Sequence, residues 1–375
     1  MTHPKTFLCE DLLIEIFSWL TVKSLIRFQC LSKSLKSLIS NPTFVKLHLS
    51  NSRSGTNILY KFTPCYNRTL TLMNYSLSTI VEDFNFGSSL KSEYKFEAVG
   101  SCNGLVCLVA QDVFKWTKYL VCLWNPITNA KSYKPCLLVH CHPYSCRTMF
   151  GFGYDSLYDT YKVVVVHFKR SELRRGSRES EVIIYNNRDN YWRNIQTFPG
   201  FTALGRSNGI YLNETINWLA TSDLDHYWDN PIYIVSLHLG NETYKQMSLP
   251  SCFDQVHRVN DQAKASLGIL KDHLCFSYDD DIKRTHFVLW QMNEYGVESS
   301  WTQLLKLRYH ALEIDQQSIL PPLGTFKNDR LILMERIDGK LQATIVYEQE
   351  GNIEIPRNKL WIYTKDYLPS LVAPW

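Results

Sequence analysis

The stretch "NGLVCLV", residues 103–109, places a turn-forming Asn-Gly pair directly before a run of apolar residues. Such a pair is a strong β-hairpin signal, because both residues tolerate the positive φ that a tight turn requires. Similar units follow along the chain: "YDTYKVVVV" from Tyr158, "NETINWLA" from Asn213, "KDHLCFSY" from Lys271 and "NDRLILME" from Asn328. The unit starts are 55, 55, 58 and 57 residues apart, so this part of the chain is built from a repeat.

A second element follows each of the first four units at a similar offset. It reads as a strand, a polar turn and an aromatic residue, and the aromatic positions are Tyr133, Trp192, Tyr244 and Trp301. Several short strands in one long period indicate one β-sheet blade per unit, and a ring of blades protects the sheet edges. Residues 55–375 hold about six units. We therefore predict an all-β domain that is a roughly six-bladed β-propeller.

The two chain segments that flank the repeat complete this prediction. The first blade is expected to come from "NILYKF" and "TLTLMNYS", near residues 57–76, and to be completed by the C-terminal "LWIYTKDYL". The sheet edges of the first and last units would then be joined. The high aromatic content, with 22 Tyr, 18 Phe and 10 Trp, fits a strand-rich domain in which most aromatic side chains lie in the core.

The N-terminal segment has a different pattern, that of three short helices. An apolar stripe at helical spacing is formed by Leu8, Leu12, Leu13, Ile16, Phe17 and Leu20. Thr21 and Ser32 are suited to cap a second and a third helix, and Asn41-Pro42 is expected to end the third. We predict a small all-α module over residues 1–50 and the β domain over residues 51–375.

Three helices of about ten residues are too short to be stable alone. They also carry more apolar side chains than they can hide from one another, which leaves two interpretations. The module packs on the β domain, or one apolar face stays exposed for the helices of a partner protein. The second interpretation predicts that the module is a docking site, through which the β domain is attached to the partner protein.

The composition excludes several other classes of protein. A net charge of +4, from 40 basic and 36 acidic residues, is too balanced for a nucleic-acid-binding or membrane-surface protein. The N-terminus lacks the pattern of a secretory signal, and no apolar run is long enough to span a bilayer. The 11 cysteines are therefore expected to be reduced core thiols. We expect a protein of the cytoplasm, the nucleus or both.

The segment "LCEDLLIEIFSWLTVKSLIRFQCLSKSLKSLISNPTFVKLHL" resembles an F-box, the module that attaches substrate receptors to the Skp1-type adaptor of cullin-based ubiquitin ligases. It departs from the family pattern at Cys9 and Thr21, where proline is usual, and at Leu35, where tryptophan is usual. The resemblance implies an adaptor-binding surface. The residues that we expect to form it are Leu8, Leu12, Leu13, Ile16, Leu20, Val22 and Leu25.

The repeat region is similar to the F-box-associated interaction domain of plant F-box/kelch-repeat proteins. The likeness rests on "GSCNGLVCL", "LWNPITNAKSY", "FGFGYDSLYDTYKVVVV" and "GIYLNETINWLA", which follow in the family's order. It implies a substrate receptor of a Skp1-cullin-F-box ligase, which bridges the adaptor, and through it a cullin, to an unidentified target protein. The segments that we expect to face the target are residues 169–181, 222–231 and 253–264.

Motifs for catalysis or metal binding are weak. "CLLVHCHPYSC", residues 136–146, holds five possible ligands, but their spacing is irregular and no second ligand pair follows. "KRSELRRGSRESE", residues 169–181, is expected to be a solvated loop, and "DDD", residues 279–281, a hairpin turn. "GFGYDS" lacks the third glycine of a dinucleotide-binding loop. We predict no metal, no cofactor and no catalytic residue.

Two alternative functions stay open. One is a propeller scaffold that no longer binds the adaptor, which the departures at Cys9, Thr21 and Leu35 would favour. The other, from a different class, is a propeller enzyme with converging carboxylates in its central channel. The aligned strands show no acidic residue before Glu335, which disfavours the enzyme.

Overall fold

A computed structural model gives the fold of the chain. The structure describes residues 9–52, 57–62, 69–76, 89–91, 96–111, 118–134, 137–138, 147–170, 178–202, 208–222, 231–251, 253, 265–279, 286–308, 320–326, 330–337, 340–346, 364–367 and 370–374. Two kinds of structure succeed each other along these residues. Helices come first and β-strands make up the rest.

The N-terminal residues form four helices, one more than the sequence predicts: α1 (Glu10–Ser18), α2 (Val22–Gln29), α3 (Lys33–Ile39) and α4 (Pro42–Asn51). Side chains cap three of them as expected from their residue types. Thr21 accepts a hydrogen bond from the Ser24 amide, and Ser32 accepts one from the Leu35 amide. The prediction that Asn41-Pro42 only ends the third helix is wrong. Asn41 also caps α4, and Pro42 opens it, because proline is well suited to the first position of a helix.

The four helices, which we call the helical unit, enclose a small core. Phe17, Leu25, Ile39 and Phe44 are buried in it, and the rings of Phe17 and Phe28 stack with centroids 5.3 Å apart. His48 in α4 is also buried, and its Nε2 lies 2.8 Å from the Leu20 carbonyl oxygen. This contact ties α4 to the end of α1.

The described strands form six antiparallel sheets, numbered I to VI here. Sheet I orders its strands as β25 (Thr364–Tyr367), β1 (Asn57–Phe62), β2 (Thr69–Ser76) and β3 (Ser89–Lys91). Sheet II contains β4 (Glu97–Cys102), β5 (Leu105–Gln111), β6 (Lys118–Trp124), β7 (Lys131–Tyr133) and β8 (Leu137–Leu138). Sheet III contains β9 (Arg147–Asp155), β10 (Thr160–Arg170), β11 (Arg178–Asn186) and β12 (Tyr191–Ile195).

The other three sheets repeat this order. Sheet IV contains β13 (Phe201–Thr202), β14 (Ile210–Leu212), β15 (Thr215–Thr221), β16 (Ile232–His238) and β17 (Tyr244–Ser248). Sheet V contains β18 (Ser266–Leu270), β19 (His273–Asp279), β20 (His286–Met292) and β21 (Trp301–Arg308). Sheet VI contains β22 (Leu320–Phe326), β23 (Arg330–Ile337) and β24 (Lys340–Val346).

The sheets are arranged in a ring, because their first strands contact one another in a closed order: β25, β4, β9, β14, β18, β22 and again β25. This is the architecture of a β-propeller, as predicted. The expected joining of the two chain ends is also present, since β25 pairs with β1 from Asn57↔Tyr367 to Tyr60↔Thr364. The last strand of the chain thus occupies the first position of sheet I.

Tight turns connect the first and second strands of several sheets. Asn103 and Gly104 have φ values of 50° and 77°, and Asn213 and Glu214 have φ values of 47° and 62°. Lys271 and Asp272 follow the same pattern, with φ values of 48° and 59°. Two successive residues with positive φ give the turn that matches the twist of paired strands. The repeat units of the sequence therefore mark hairpins, as predicted.

Cores between neighbouring sheets hold the ring together. Valines of β10 lie at their centre: Val163 and Val165 pack towards sheet II, while Val164 and Val166 pack towards sheet IV. The strand is therefore apolar on both faces. The aromatic residues of the second repeated element lie on β7, β12, β17 and β21, the outermost described strands of sheets II to V. Trp301 is buried there, whereas Tyr133 is exposed.

A buried ionic network joins sheet III to sheet IV. Lys162 Nζ of β10 lies 2.8 Å from Asp155 Oδ2 and 2.9 Å from Glu242 Oε1, and it donates a hydrogen bond to the Leu239 carbonyl oxygen. Glu242 also pairs with Arg193. Burial opposes the ionisation of Glu242, but the bonds from Arg193 and Lys162 outweigh it and lower the pKa of Glu242. The network fixes a turn of one sheet onto a strand of the next.

Candidate functional site

The helical unit leaves large apolar side chains in contact with solvent. Leu12, Ile16 and Trp19 are 52%, 49% and 67% exposed, and their spacing places them on one face of α1 and its C-terminal end. We call these three residues the α1 stripe. Leu31, between α2 and α3, is 69% exposed. Such a concentration of exposed apolar side chains in a small unit makes this surface a candidate binding site for another protein.

The residues predicted to bind an adaptor divide into four groups in the structure. Leu8 lies outside the described residues. Leu12 and Ile16 are exposed, and Leu13 and Leu20 are half-buried against the core of the helical unit. Val22 and Leu25 are buried. Leu25 belongs to the core of the helical unit. The burial of Val22 and Leu25 leaves little of either side chain on the surface, and their contact with an adaptor stays a prediction.

Trp19 and Leu31 are exposed apolar residues that the sequence prediction missed. Trp19 ends α1, and its Nε1 donates a hydrogen bond to Glu15 one turn earlier. Leu31 follows the last turn of α2. Both lie just beyond the last regular residue of a helix. Trp19 still continues the helical spacing of Leu12 and Ile16, and this spacing is the signal that could have identified it.

The three departures from the F-box pattern have local explanations. Cys9 precedes α1 in an extended conformation and makes no capping bond with its side chain. Thr21 occupies the N-cap of α2 and satisfies a backbone amide. Leu35 is half-buried against the core of the helical unit. None of the three residues therefore places an unpaired polar side chain in the core of the helical unit.

The electrostatic character of the helical unit is uneven. The acidic residues Glu10, Asp11 and Glu15 lie on α1. After Glu15 the sequence contains no acidic residue until Glu82. The basic residues of α2 to α4 are Lys23, Arg27, Lys33, Lys36 and Lys46, all exposed. A partner that covers Leu31 therefore meets a positively charged surface.

The propeller ring has two different ends. Turns such as 103–104, 156–159, 213–214 and 271–272 lie at one end, which we call the short-turn end. The second-to-third strand connections, and those between successive sheets, lie at the other. They include the predicted target-facing segments 222–231, between β15 and β16, and 253–264, between β17 and β18. The prediction that 169–181 is a loop throughout is wrong, because residues 169–170 end β10 and 178–181 begin β11, where Lys169 pairs with Glu179. The middle of this segment, residues 171–177, forms the connection between the two strands. Most residues of these segments lie outside the described residues.

The helical unit meets the short-turn end of the ring. Lys46 Nζ of α4 lies 2.6 Å from Asp159 Oδ2 in the turn before β10, and both side chains are more than half exposed. Asp159 also accepts a hydrogen bond from the Tyr154 hydroxyl. The bonds from Lys46 and then Tyr154 lower the pKa of Asp159. The α1 stripe and the predicted target-facing segments therefore belong to different parts of the molecule.

The described residues contain no group of three or more His, Cys, Asp or Glu side chains that could hold a metal ion. The cysteine- and histidine-rich segment 136–146 lies outside these residues, except for Leu137–Leu138. Where the chain is described, no helix is long and apolar enough to cross a bilayer. Four described cysteines, Cys102, Cys107, Cys122 and Cys275, are buried and form no disulfide, whereas Cys9 and Cys30 are exposed. Burial raises the pKa of Cys275 to about 12, which keeps this thiol protonated.

Comparison with known protein families gives two matches. The model of the F-box-associated β-propeller domain matches residues 61–374, and the model of the F-box domain matches residues 7–47. Together they cover the ring and the helical unit. The chain belongs to the F-box proteins with an F-box-associated β-propeller domain. Helices α1 to α3 are therefore an F-box, and the exposed α1 stripe lies on it.

Curated relatives of this F-box protein come from Arabidopsis thaliana. The chain is 30% identical over 312 residues to the F-box/kelch-repeat protein At3g23880, an alignment that covers 79% of this chain and 78% of the relative. It is 25% identical over 348 residues to the F-box protein CPR1, covering 88% and 80% of the two chains. The resemblance to plant F-box/kelch-repeat proteins is confirmed.

Solved structures similar to the chain include a lectin and a β-propeller domain. The SapL1 lectin in complex with alpha methyl fucoside has a TM-score of 0.45 and 8% identity, covering 82% of this chain and 95% of the lectin. The β-propeller domain of the Trilobed protease from Pyrococcus furiosus has a TM-score of 0.39 and 10% identity, covering 78% and 82%. These similarities are too distant to inform the function of the F-box protein.

Proposed function

We propose that the chain is the substrate receptor of a Skp1-cullin-F-box ubiquitin ligase. The F-box binds a Skp1-type adaptor, which links it to a cullin, and the propeller holds a target protein. The chain itself performs no chemistry. It raises the local concentration of a charged ubiquitin carrier near lysines of the target.

The exposed α1 stripe carries this proposal. Leu12, Ile16 and Trp19 point away from a core that is complete without them. Leaving such side chains in water forgoes the free energy that their burial would provide, about 1.5–3 kcal/mol for a fully buried leucine or isoleucine. A second protein that covers them recovers this free energy, and helices that pack on α1 are a common way to do so.

The propeller is proposed to hold the target at the end opposite its short turns. The described contact of the F-box lies at the short-turn end, which leaves the far end as the proposed place for a second partner. Segments 169–181, 222–231 and 253–264 stay the proposed contact regions, because long connections on a rigid scaffold often carry binding residues. We propose that the complex acts in the cytoplasm, the nucleus or both.

Binding of a purified Skp1-type adaptor to the full chain tests the proposal. We expect measurable affinity by isothermal titration calorimetry and at least a tenfold loss for Leu12→Asp or Ile16→Asp, because each buries a carboxylate in an apolar interface. Leu304→Asp is the matched control, since Leu304 is an exposed leucine on β21 of sheet V. It should bind the adaptor as the wild type does.

The alternatives are outcomes of the same experiment. If the folded wild type does not bind the adaptor, the chain is a propeller scaffold and the proposed ligase role is wrong. If Leu304→Asp weakens binding as strongly as Leu12→Asp, the adaptor contacts another surface. A separate experiment would identify the target: proximity labelling in cells with the proteasome inhibited, in which the proteins labelled by the wild type are compared with those labelled by Ile16→Asp.

A further inference from the structure

The last described residues of the chain, Ser370–Pro374, lie between the F-box and the propeller. They follow β25, which closes the ring, and they cross the short-turn end of sheet II. We call them the C-terminal strap. Two of its side chains pack on different parts of the molecule: Leu371 on the core of the helical unit, and Val372 on the core between sheets II and III.

The propeller holds the backbone of the strap through buried polar groups. Asn125, fully buried in the turn after β6, donates hydrogen bonds from Nδ2 to the carbonyl oxygens of Ser370 (2.9 Å) and Val372 (2.8 Å). Its Oδ1 accepts bonds from the amides of Ile127 and Thr128. One side chain thus shapes its own turn and clamps the strap.

Two further contacts fix the ends of the strap. The Ser370 hydroxyl, also fully buried, donates to the Asn103 carbonyl oxygen at 2.7 Å. At the other end, the buried ammonium of Lys134 donates to the Pro374 carbonyl oxygen at 2.9 Å and to Ser132 Oγ at 2.7 Å. Burial lowers the pKa of Lys134 to about 8. Polar groups are buried in this way only when they are paired, so these contacts hold the strap in one place.

A direct polar contact between the helical unit and the ring is weaker than these buried contacts of the strap. Lys46 and Asp159 form an ion pair in which both side chains are more than half exposed. Such pairs contribute little, because water screens them and ordering two long side chains costs entropy. The strap therefore supplies the contacts that can fix the orientation of the F-box.

We propose that the C-terminal strap is the joint that sets the position of the F-box on the propeller, and that Leu371 is its positioning residue. The strap is anchored to sheet II by Asn125, Ser370 and Lys134, and Leu371 extends from it into the helical unit. Any adaptor bound to the α1 stripe is then held at a fixed position relative to the far end of the ring.

The Lys46–Asp159 pair offers a direct test in the full chain without any partner. A carbodiimide links an amine to a carboxylate without a spacer, with loss of water, so it forms an amide only where the two groups meet. We expect the Lys46–Asp159 amide in the wild type by peptide mass spectrometry. We expect at least a fivefold lower yield in Leu371→Ala and near-normal yield in Leu371→Met, which keeps the size and apolar character of the side chain.

Two further variants separate positioning from general stability. Ala373→Ser changes an exposed residue of the same strap and should leave the yield unchanged. Lys134→Met removes the bond to Pro374 and should lower the yield while Leu371 is intact. Hydrogen exchange of α1 to α4 in Leu371→Ala should stay protected, which shows that the F-box moves and does not unfold.

An undiminished amide yield in Leu371→Ala, or in a chain that ends at residue 369, would overturn the proposal. So would unfolding of the F-box in Leu371→Ala, because Leu371 would then be an ordinary core residue. Neither result involves the adaptor. The proposed ligase role is therefore tested separately from the joint.

Discussion

At the scale of single residues, Lys162 shows what the sequence could not reveal. It stands in the run "YDTYKVVVV", and lysine is rarely buried, yet its side chain is 2% exposed. Its partner Glu242 is 80 residues away in sequence. A buried cation is stable only when anions and carbonyl groups surround it, and no local pattern predicts a partner so distant.

Lys162→Met should destabilise the propeller strongly. The change leaves the carboxylate of Asp155, which is fully buried, without its counter-ion. Breaking a buried pair in this way costs about 3–5 kcal/mol. Urea denaturation of the purified chain would measure it as a shift of the unfolding midpoint.

The double variant Lys162→Met/Asp155→Asn is the matched control for this loss. An asparagine keeps the oxygen that accepts bonds from the Leu157 and Tyr158 amides but carries no charge. Most of the lost stability should return. A double variant that is less stable than Lys162→Met would show that the charge of Asp155 is not the cause.

The predicted contact residues give the same lesson. Apolar spacing identified Leu12, Ile16, Val22 and Leu25 as a set, but it did not show which of them face outward. Leu25 faces the core of the helical unit, whereas Leu12 faces away from it. The direction in which a side chain faces depends on how the helices pack on one another. The spacing of residues within one helix carries no information about that packing.

At the scale of elements, the hairpins were predictable and the fourth helix was not. Asn-Gly at 103–104 permits few structures other than a tight turn. Asn41-Pro42 has two meanings, since proline is found both after the end of one helix and at the start of the next. The apolar run of α4 is short, and only the helical unit as a whole requires Phe44 and Leu49 in its core.

The positively charged helices α2 to α4 should make adaptor binding sensitive to salt. Arg27 and Lys33 lie within four residues of exposed Leu31, so a partner that covers Leu31 approaches both cations. Complementary charge accelerates association by about tenfold or more at low salt. For an adaptor whose facing surface is acidic, we expect the association rate, measured by stopped flow, to fall by about tenfold between low and high salt.

Variants that lack the charges of Arg27 and Lys33 test whether these two residues cause the salt dependence. Arg27→Gln/Lys33→Gln should slow association at low salt and flatten its dependence on salt, with a smaller effect on dissociation. Lys306→Gln changes an exposed lysine on β21 and should behave as the wild type. An association rate that ignores salt in all three proteins would mean that these cations do not face the adaptor.

At the scale of the whole molecule, the repeat period predicted a ring, and the ends of the chain predicted how it closes. Both follow from one requirement, that no sheet edge stays open. The repeat did not predict the position of the F-box on that ring. That position depends on Leu371, Asn125 and Lys134, which belong to distant parts of the sequence and follow no period.

Closure of the ring by β25 should be needed for a stable monomer. Removal of residues 361–375 would free one edge of β1 and leave a gap between β22 and β4, which β25 contacts. Open strand edges promote association, and the cores on either side of the gap would be exposed to water.

A chain that ends at residue 369 keeps β25 and loses only the strap. Size-exclusion chromatography with light scattering should therefore show a monomer for this chain and larger species for the chain that lacks residues 361–375. If the shorter chain is also a monomer with an unchanged slope of unfolding free energy against urea, it exposes no additional surface, and the ring does not depend on β25.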